Sequence, residues 1–388
     1  MRQRGAPALH RLLAVFLPLL VLAGCAGMHP APEPGPGQPV AWSRLPGWEQ
    51  GRQAGAWPAL LRTCRELDQR EPWRSLCNEA ELYPDPTDAE ARAFLRCRFV
   101  PRPVGDGAGG HRGLITGYYE PLLHGSRQRT DRYRYPLYTP PPDLVHVDLG
   151  DRFPTLAGER VRGRYTPQGR VVPYYTRAEI EGPDQPLAGN ELLWVDDPVD
   201  RFFLHVQGSG RVRLPDGEVL AVDYADQNGR RYHSIGRVLV NRGVMSRDEV
   251  TLPSLRAWLE AHPDRRREIF DANPSYVFFH LRDARRPEPI GTLGVPLTPR
   301  RSLAVDPDHI PLGLPVWLAT RLPAPDHSDR EPTFRRLVFA QDTGGAIQGA
   351  VRGDLFAGQG VPAEWLAGRM KQQGRLFVLT PAWRYKAK

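Results

Sequence analysis

Two aspartates set 12 residues apart, Asp342 and Asp354, lie in an apolar frame punctuated by glycine. Val338-Phe339-Ala340-Gln341 runs into Asp342-Thr343-Gly344-Gly345-Ala346-Ile347, and Arg352-Gly353 leads into Asp354-Leu355-Phe356. An apolar run that ends in a carboxylate and two glycines reads as a buried strand stopping at a sharp turn, where backbone can come close to a ligand. A third aspartate, Asp306, ends the run Ala304-Val305 before Pro307, with Ile310-Pro311-Leu312-Gly313 beyond it. Strand-end aspartates also accept hydrogen bonds from turn amides, which holds their pKa down and makes them poor acids. Asp354 differs, because its Leu355-Phe356 flank favours a raised pKa, and a general acid needs one. The residues alone lean to Asp354 as the acid and leave Asp342 open.

Other clusters suit a polar, ring-shaped substrate. Thr116-Gly117-Tyr118-Tyr119-Glu120-Pro121 packs a hydroxyl, two phenols and a carboxylate into six residues. Sugars offer apolar faces that stack on rings and hydroxyls that need directional partners, and tyrosine serves both. Phe202-Phe203-Leu204-His205-Val206 reads as a strand, with Gln207-Gly208-Ser209-Gly210 at its end, and Gln207 and Ser209 are further candidates for a polar ligand. Ala225-Asp226-Gln227-Asn228-Gly229 supplies more amides for a polar ligand, while Asp226 to Gly229 also reads as a hairpin turn. Gly208-Ser209-Gly210 lacks the spacing of a serine-hydrolase elbow. Asp342-Thr343-Gly344 is the tripeptide of aspartic proteases, but that chemistry needs two such aspartates sharing a proton and this chain has one. No CxxC or HxxxH spacing occurs, so no metal site is expected.

The elements that must position these residues follow from patterning along the 388-residue chain. Arg2, Arg4 and Arg11 precede an apolar run that ends Leu22-Ala23-Gly24-Cys25, which resembles a lipoprotein signal with Cys25 as the acylated mature N-terminus. Ala26 follows, so the expected location is the outer membrane, facing the periplasm. Residues 26–48 carry Pro30, Pro32, Pro34, Pro36 and Pro39 and read as a tether. Trp57, Leu60, Leu61, Cys64 and Leu67 follow helical spacing, Thr87-x-x-Glu90 reads as a capping box, and Ser246-x-x-Glu249 reads as a second one ahead of Leu252, Leu255, Trp258 and Leu259. Between about 112 and 240 the pattern is mostly β. The last hundred residues carry four short apolar runs, Ser302 to Val305, Pro315 to Leu318, Leu337 to Ala340 and Leu376 to Leu379, at a spacing that suits a small barrel.

The net charge of +8 falls to +5 without the three arginines Arg2, Arg4 and Arg11, too little to argue for nucleic acid. After lipidation three thiols remain, Cys64, Cys77 and Cys97. Cys64 and Cys77 lie on neighbouring helical patterns and form the natural disulfide pair, a link that contributes about 3 kcal/mol when unstrained.

Taken together, the lipobox, Thr116 to Pro121, Val206-Gln207-Gly208-Ser209-Gly210, Asn273-Pro274-Ser275-Tyr276, Ala304-Val305-Asp306 with Ile310 to Gly313, and Asp342 through Asp354 resemble the membrane-bound lytic murein transglycosylase A family, in that family's order. The likeness covers roughly residues 45 to 385. It implies a mainly β fold with peripheral helices: a double-psi β-barrel domain from 49–122 and 234–386, a β-rich domain inserted at 123–233, and a glycan groove between them. It also implies Asp354 as the catalytic acid, accompanied by Asp342 and Asp306, with Thr116, Gly117, Tyr118, Tyr119, Glu120, Gln207, Ser209 and Gln348 along the substrate. Where members carry Lys after Gly-Ala-Ile, this chain has Gln348, which removes a charge contact to the glycan or the acid.

The implied reaction is exolytic, non-hydrolytic cleavage of the bond between N-acetylmuramic acid and N-acetylglucosamine, leaving 1,6-anhydro ends, with one carboxyl and no cofactor or metal. Its partners would be peptidoglycan strands and the outer membrane, with cell-wall synthases or scaffold proteins within reach. The alternative is a non-catalytic lipoprotein that binds peptidoglycan, in which the aspartates only cap turns.

Overall fold

The computed structural model describes residues 33–69, 71–156, 161–283, 287–325 and 330–382. The signal sequence and Cys25 therefore lie outside the described residues. The chain opens with β1 (Gly35–Pro36), α1 (Trp57–Leu67), α2 (Trp73–Glu81), α3 (Asp88–Arg98), β2 (Phe99–Gly105) and β3 (Gly113–Glu120). A middle region follows with β4 (Leu122–Ser126), β5 (Tyr135–Tyr138), β6 (Val145–Val147), β7 (Val161–Tyr165), β8 (Val171–Pro173), α4 (Arg177–Ile180), β9 (Glu191–Val195) and α5 (Pro198–Gln207). It continues through β10 (Ser209–Arg213), β11 (Val219–Gln227), α6 (Ile235–Asn241), α7 (Leu252–Ala261), α8 (Arg266–Asp271) and β12 (Val277–Leu281). The chain then returns in β13 (Ser302–Ala304), β14 (Pro315–Arg321), β15 (Thr333–Asp342), β16 (Gly353–Gln359), α9 (Val361–Arg369) and β17 (Lys371–Pro381).

Three sheets form. The largest has eight strands in the order β1-β2-β17-β14-β15-β13-β16-β3, with a further pairing of β17 to β3. A six-stranded sheet, β12-β11-β10-β4-β9-β5, and a three-stranded one, β6-β7-β8, come from the middle region. The apolar runs seen in the sequence become β13, β14, β15 and β17, and their buried faces meet α1 to α3 in one core that includes Trp57, Leu60, Leu95, Trp317, Phe339 and Phe377. A disulfide joins Cys64 on α1 to Cys77 on α2, the pair chosen from the sequence, and Cys97 is free and exposed.

The ladders correct the expected fold class. Where the sequence reading expects a mainly β chain with a double-psi β-barrel domain, the chain is a mixed β/α fold. Its main sheet branches at β17, which pairs with β2, β14 and β3, and among the described residues ends at β1. The cause is the length of β17: eleven residues take β3 along Lys371–Gly374, β14 along Arg375–Val378 and β2 along Phe377–Pro381.

Local readings are corrected too. Phe202 to Val206 is helix, part of α5: Asp197 accepts bonds from the Val199 and Asp200 amides, Pro198 opens the first turn, and Gly208 ends it at φ 81°. Ser246 and Glu249 pair in a turn, and α7 is instead opened by Thr251 with Ser254. Thr87 and Glu90 do form the capping box of α3. The stretch read as a tether is anchored over its second half, since β1 pairs with β2 and Leu45 and Trp48 are buried.

Candidate active site

Register across four strands builds the site. β13 runs parallel to β15 and antiparallel to β16, and β16 runs parallel to β3. Ala304 stands opposite Asp342 on one side and Asp354 on the other, and Asp354 stands opposite Thr116. A register shift between Leu303 and Ala304 brings Asp342, rather than Gln341, into this row. Gln341 is buried and fastens the strand end to α1: its amide donates to the Ala59 carbonyl and the Thr63 hydroxyl and accepts from Ser302. Thr116 and Tyr118, two apart on β3, share a face. Beneath the carboxyls Tyr118, Leu297, Ala304, Ile347 and Phe356 form a small apolar cluster.

Each aspartate is half-buried, but they are bonded differently. Asp354 accepts a short hydrogen bond from the Thr116 hydroxyl, 2.6 Å to Oδ1. Burial pushes its pKa up, while the nearby Arg352 guanidinium and the Thr116 bond pull it back. Asp342 takes the Thr292 amide at 3.0 Å, the Thr292 hydroxyl at 2.9 Å and the Thr343 amide at 2.9 Å on Oδ1, and the Tyr118 hydroxyl at 2.8 Å on Oδ2. Burial raises its pKa as well, opposed by those donors. Asp306 holds the loop between the other two, accepting the Gly349 amide at 2.6 Å and the Asp308 amide at 3.2 Å. Among the described residues the arrangement offers one carboxyl, Asp354, with no donor on Oδ2, beside one, Asp342, engaged on both oxygens.

The other predicted residues scatter by role. Gly117 lies where α9 crosses β3, and a Cβ there would sit 3.0 Å from the Ala367 Cα. Tyr118 is buried and packs tilted against Phe356, with ring centroids 5.2 Å apart and planes at 47°. Tyr119 is buried, and its backbone amide donates to Gln207 Oε1 at 2.9 Å, so Gln207 ties α5 to β3. Glu120 is turned into the protein at 2 % exposure, where it pairs with Arg211 at 2.9 Å and with Arg282. Ser209 begins β10, away from the aspartate row, and Gln348 is exposed on the loop that Asp306 holds, reaching the Gly345 carbonyl at 3.4 Å. Thr292 and Arg352 were missed by sequence reasoning. Thr292 carries no motif, while Arg352 stands two residues before Asp354 and has no role in the sequence reading beyond leading into that aspartate.

The chain matches two family models, one described as the MltA specific insert domain over residues 114–280 and one as the 3D domain over residues 301–380. The membrane-bound lytic murein transglycosylase A of Vibrio cholerae is 31 % identical over 277 residues, which is 70 % of this chain and 67 % of that protein. The crystal structure of a membrane-bound lytic murein transglycosylase from Agrobacterium tumefaciens superposes with a TM-score of 0.77 at 32 % identity, covering 90 % of this chain and 99 % of that one. The chain belongs to the membrane-bound lytic murein transglycosylase A family. Within it, the Escherichia coli member with bound chitohexaose matches at a TM-score of 0.66 and 26 % identity, covering 91 % of this chain and 95 % of that one. By sequence, the matched stretch spans about two thirds of the length of the curated relatives. The family's insert model begins on β3 and ends on β12, so Thr116 is inside it and the three aspartates are beyond it.

Proposed function

We propose that Asp354 is the acid through which this lytic transglycosylase cleaves the glycan chains of peptidoglycan. Asp354 protonates the oxygen between N-acetylmuramic acid and N-acetylglucosamine. As a carboxylate it then takes the proton from the muramyl C6 hydroxyl, whose oxygen closes on C1. The products are a 1,6-anhydromuramyl end and a free N-acetylglucosamine hydroxyl, and no water is consumed. Because the nucleophile belongs to the substrate, proximity replaces the second working carboxylate of an ordinary glycosidase.

The observation that carries this reading is the contrast in bonding within one row of two carboxyls whose pKa values burial raises alike: among the described residues Asp354 takes one protein donor, beside Asp342, held by four. Asp342 is then the fixed carboxylate that steadies positive character at C1, and Asp306 sets the loop. Thr116, Tyr118 and the exposed Gln348 line the path of the glycan, whereas Gly117, Tyr119, Glu120, Gln207 and Ser209 shape the strands behind it. The glycan lies in a groove between the unit formed by 49–122 with the returning strands β13 to β17 and the inserted unit. The place of β12 in the six-stranded sheet supports a return after Leu281 rather than at 234.

No helix among the described residues is long and apolar enough to cross a membrane. Anchoring rests on Cys25, acylated at the inner leaflet of the outer membrane. The test is mass spectrometry of products released from purified sacculi by the protein lacking residues 1–25: anhydromuramyl ends support the reaction, and reducing ends from added water contradict it.

A further inference from the structure

We propose that Arg352 is a positioning residue that locks the Thr116 hydroxyl so that neutral Asp354 carries its proton on Oδ2 and delivers it from that oxygen. The inference rests on the reading of Asp354 as the acid and adds the atom that acts. Arg352 Nη2 donates to Thr116 Oγ1 at 2.8 Å, and Thr116 Oγ1 donates to Asp354 Oδ1 at 2.6 Å. A guanidinium has donors only, so Oγ1 must accept from it. The single hydroxyl proton is thereby free to point the other way, to Asp354 Oδ1. An acid proton on Oδ1 would meet that hydroxyl proton head on, so the neutral carboxyl holds its proton on Oδ2.

The lock is itself fixed. Arg352 Nη1 donates to the Gly353 carbonyl and, at 3.3 Å, to the Leu114 carbonyl, so the guanidinium bridges the starts of β16 and β3. These are the two strands whose register sets Thr116 opposite Asp354. The same chain serves the second half of the reaction: once the proton has left, the Thr116 bond and the Arg352 charge both favour the carboxylate, which then recovers a proton from the muramyl C6 hydroxyl. Burial of Arg352 lowers its own pKa, and Asp354 opposes that shift, as expected of groups that feel each other.

The experiment is a pH–rate series on purified sacculi with Arg352→Met, Thr116→Val, the double variant, and the conservative Arg352→Lys and Thr116→Ser. Loss of one charge-assisted hydrogen bond is expected to lower kcat about 10-fold in Arg352→Met. The alkaline limb should move to higher pH, because a carboxyl without its cation is harder to ionise. KM should stay near wild type. Thr116→Val should fall by a similar factor, the double variant should be no slower than the slower single one, and Lys and Ser should recover much of the rate. Additive losses would overturn the proposal. So would a raised KM with kcat and the alkaline limb unchanged, which makes Arg352 a glycan contact. Should Arg352→Met melt early, the folded Arg352→Lys and Thr116→Ser decide. Activity retained in Asp354→Asn would instead remove the underlying acid reading, whatever Arg352 does.

Discussion

As the proposed acid, Asp354 balances two demands at the scale of one residue: in that reaction it must be neutral to start and charged to finish. Burial raises its pKa above 3.8, and Arg352 and Thr116 hold that rise in check. Because the protonated form begins the reaction, activity on sacculi should decline as pH climbs through this raised value, measured as the alkaline limb of kcat/KM. The sign for stability is the same. A folded pKa above the unfolded one means that stability is intact below the unfolded pKa and is lost as pH rises through the folded one. Replacing the carboxyl in Asp354→Asn should therefore raise the melting temperature at pH 7 and lose that advantage below about pH 4. Asp306→Ala tests the supporting role, since it strands the Gly349 amide; a destabilisation of about 1–3 kcal/mol by chemical denaturation is expected, with anhydro ends still formed. The raised pKa of Asp354 was legible because its apolar flank is local. Glu120 was not, because the arginines that claim it stand 91 and 162 residues further along the chain.

Elements deliver these residues through close backbone contact between strands. At Gly113 an added Cβ would fall 1.7 Å from the Val351 carbonyl oxygen, so the start of β3 can lie beside the segment entering β16 only without a side chain. Gly113→Ala should cost about 2–4 kcal/mol and lower kcat with it, as the Asp354–Thr116 register depends on this contact; thermal melting and sacculus turnover check both. Helices with local signatures were readable, as in α3 with its Thr87 and Glu90 box. α5 was misread because Phe202 to Val206 is a short run, apolar except for His205, too short to show a period; the overlooked signal was Asp197-Pro198 just before it. Only half of the box read at Ser246 formed: Glu249 accepts the Ser246 amide, but the Glu249 amide donates to the Ser246 carbonyl at 3.2 Å, which closes a turn, and the helix waits for Thr251.

Across the whole molecule, a buried charge cluster ties the main sheet to the six-stranded one. Glu120 ends β3 and meets Arg211 of β10 and Arg282 just past β12, and Arg282 in turn binds Asp223 of β11 at 2.7 Å. Glu120→Ala would leave two guanidinium groups short of a partner in the interior, one of them almost fully buried. A loss of about 3–5 kcal/mol is expected in denaturant unfolding. The branched main sheet escaped the sequence reading for a related reason. Each apolar run announces a strand, but nothing within Lys371 to Pro381 announces that one strand will serve three partners.

The measurement that bears most directly on the account is mass spectrometry of muropeptides released from purified sacculi by the protein lacking residues 1–25, run beside Asp354→Asn. Anhydromuramyl products from the first, and a yield lowered by about 10²–10⁴-fold in the second with the variant still folded and bound to sacculi, are the predicted result. Undiminished anhydromuramyl release by Asp354→Asn would contradict it.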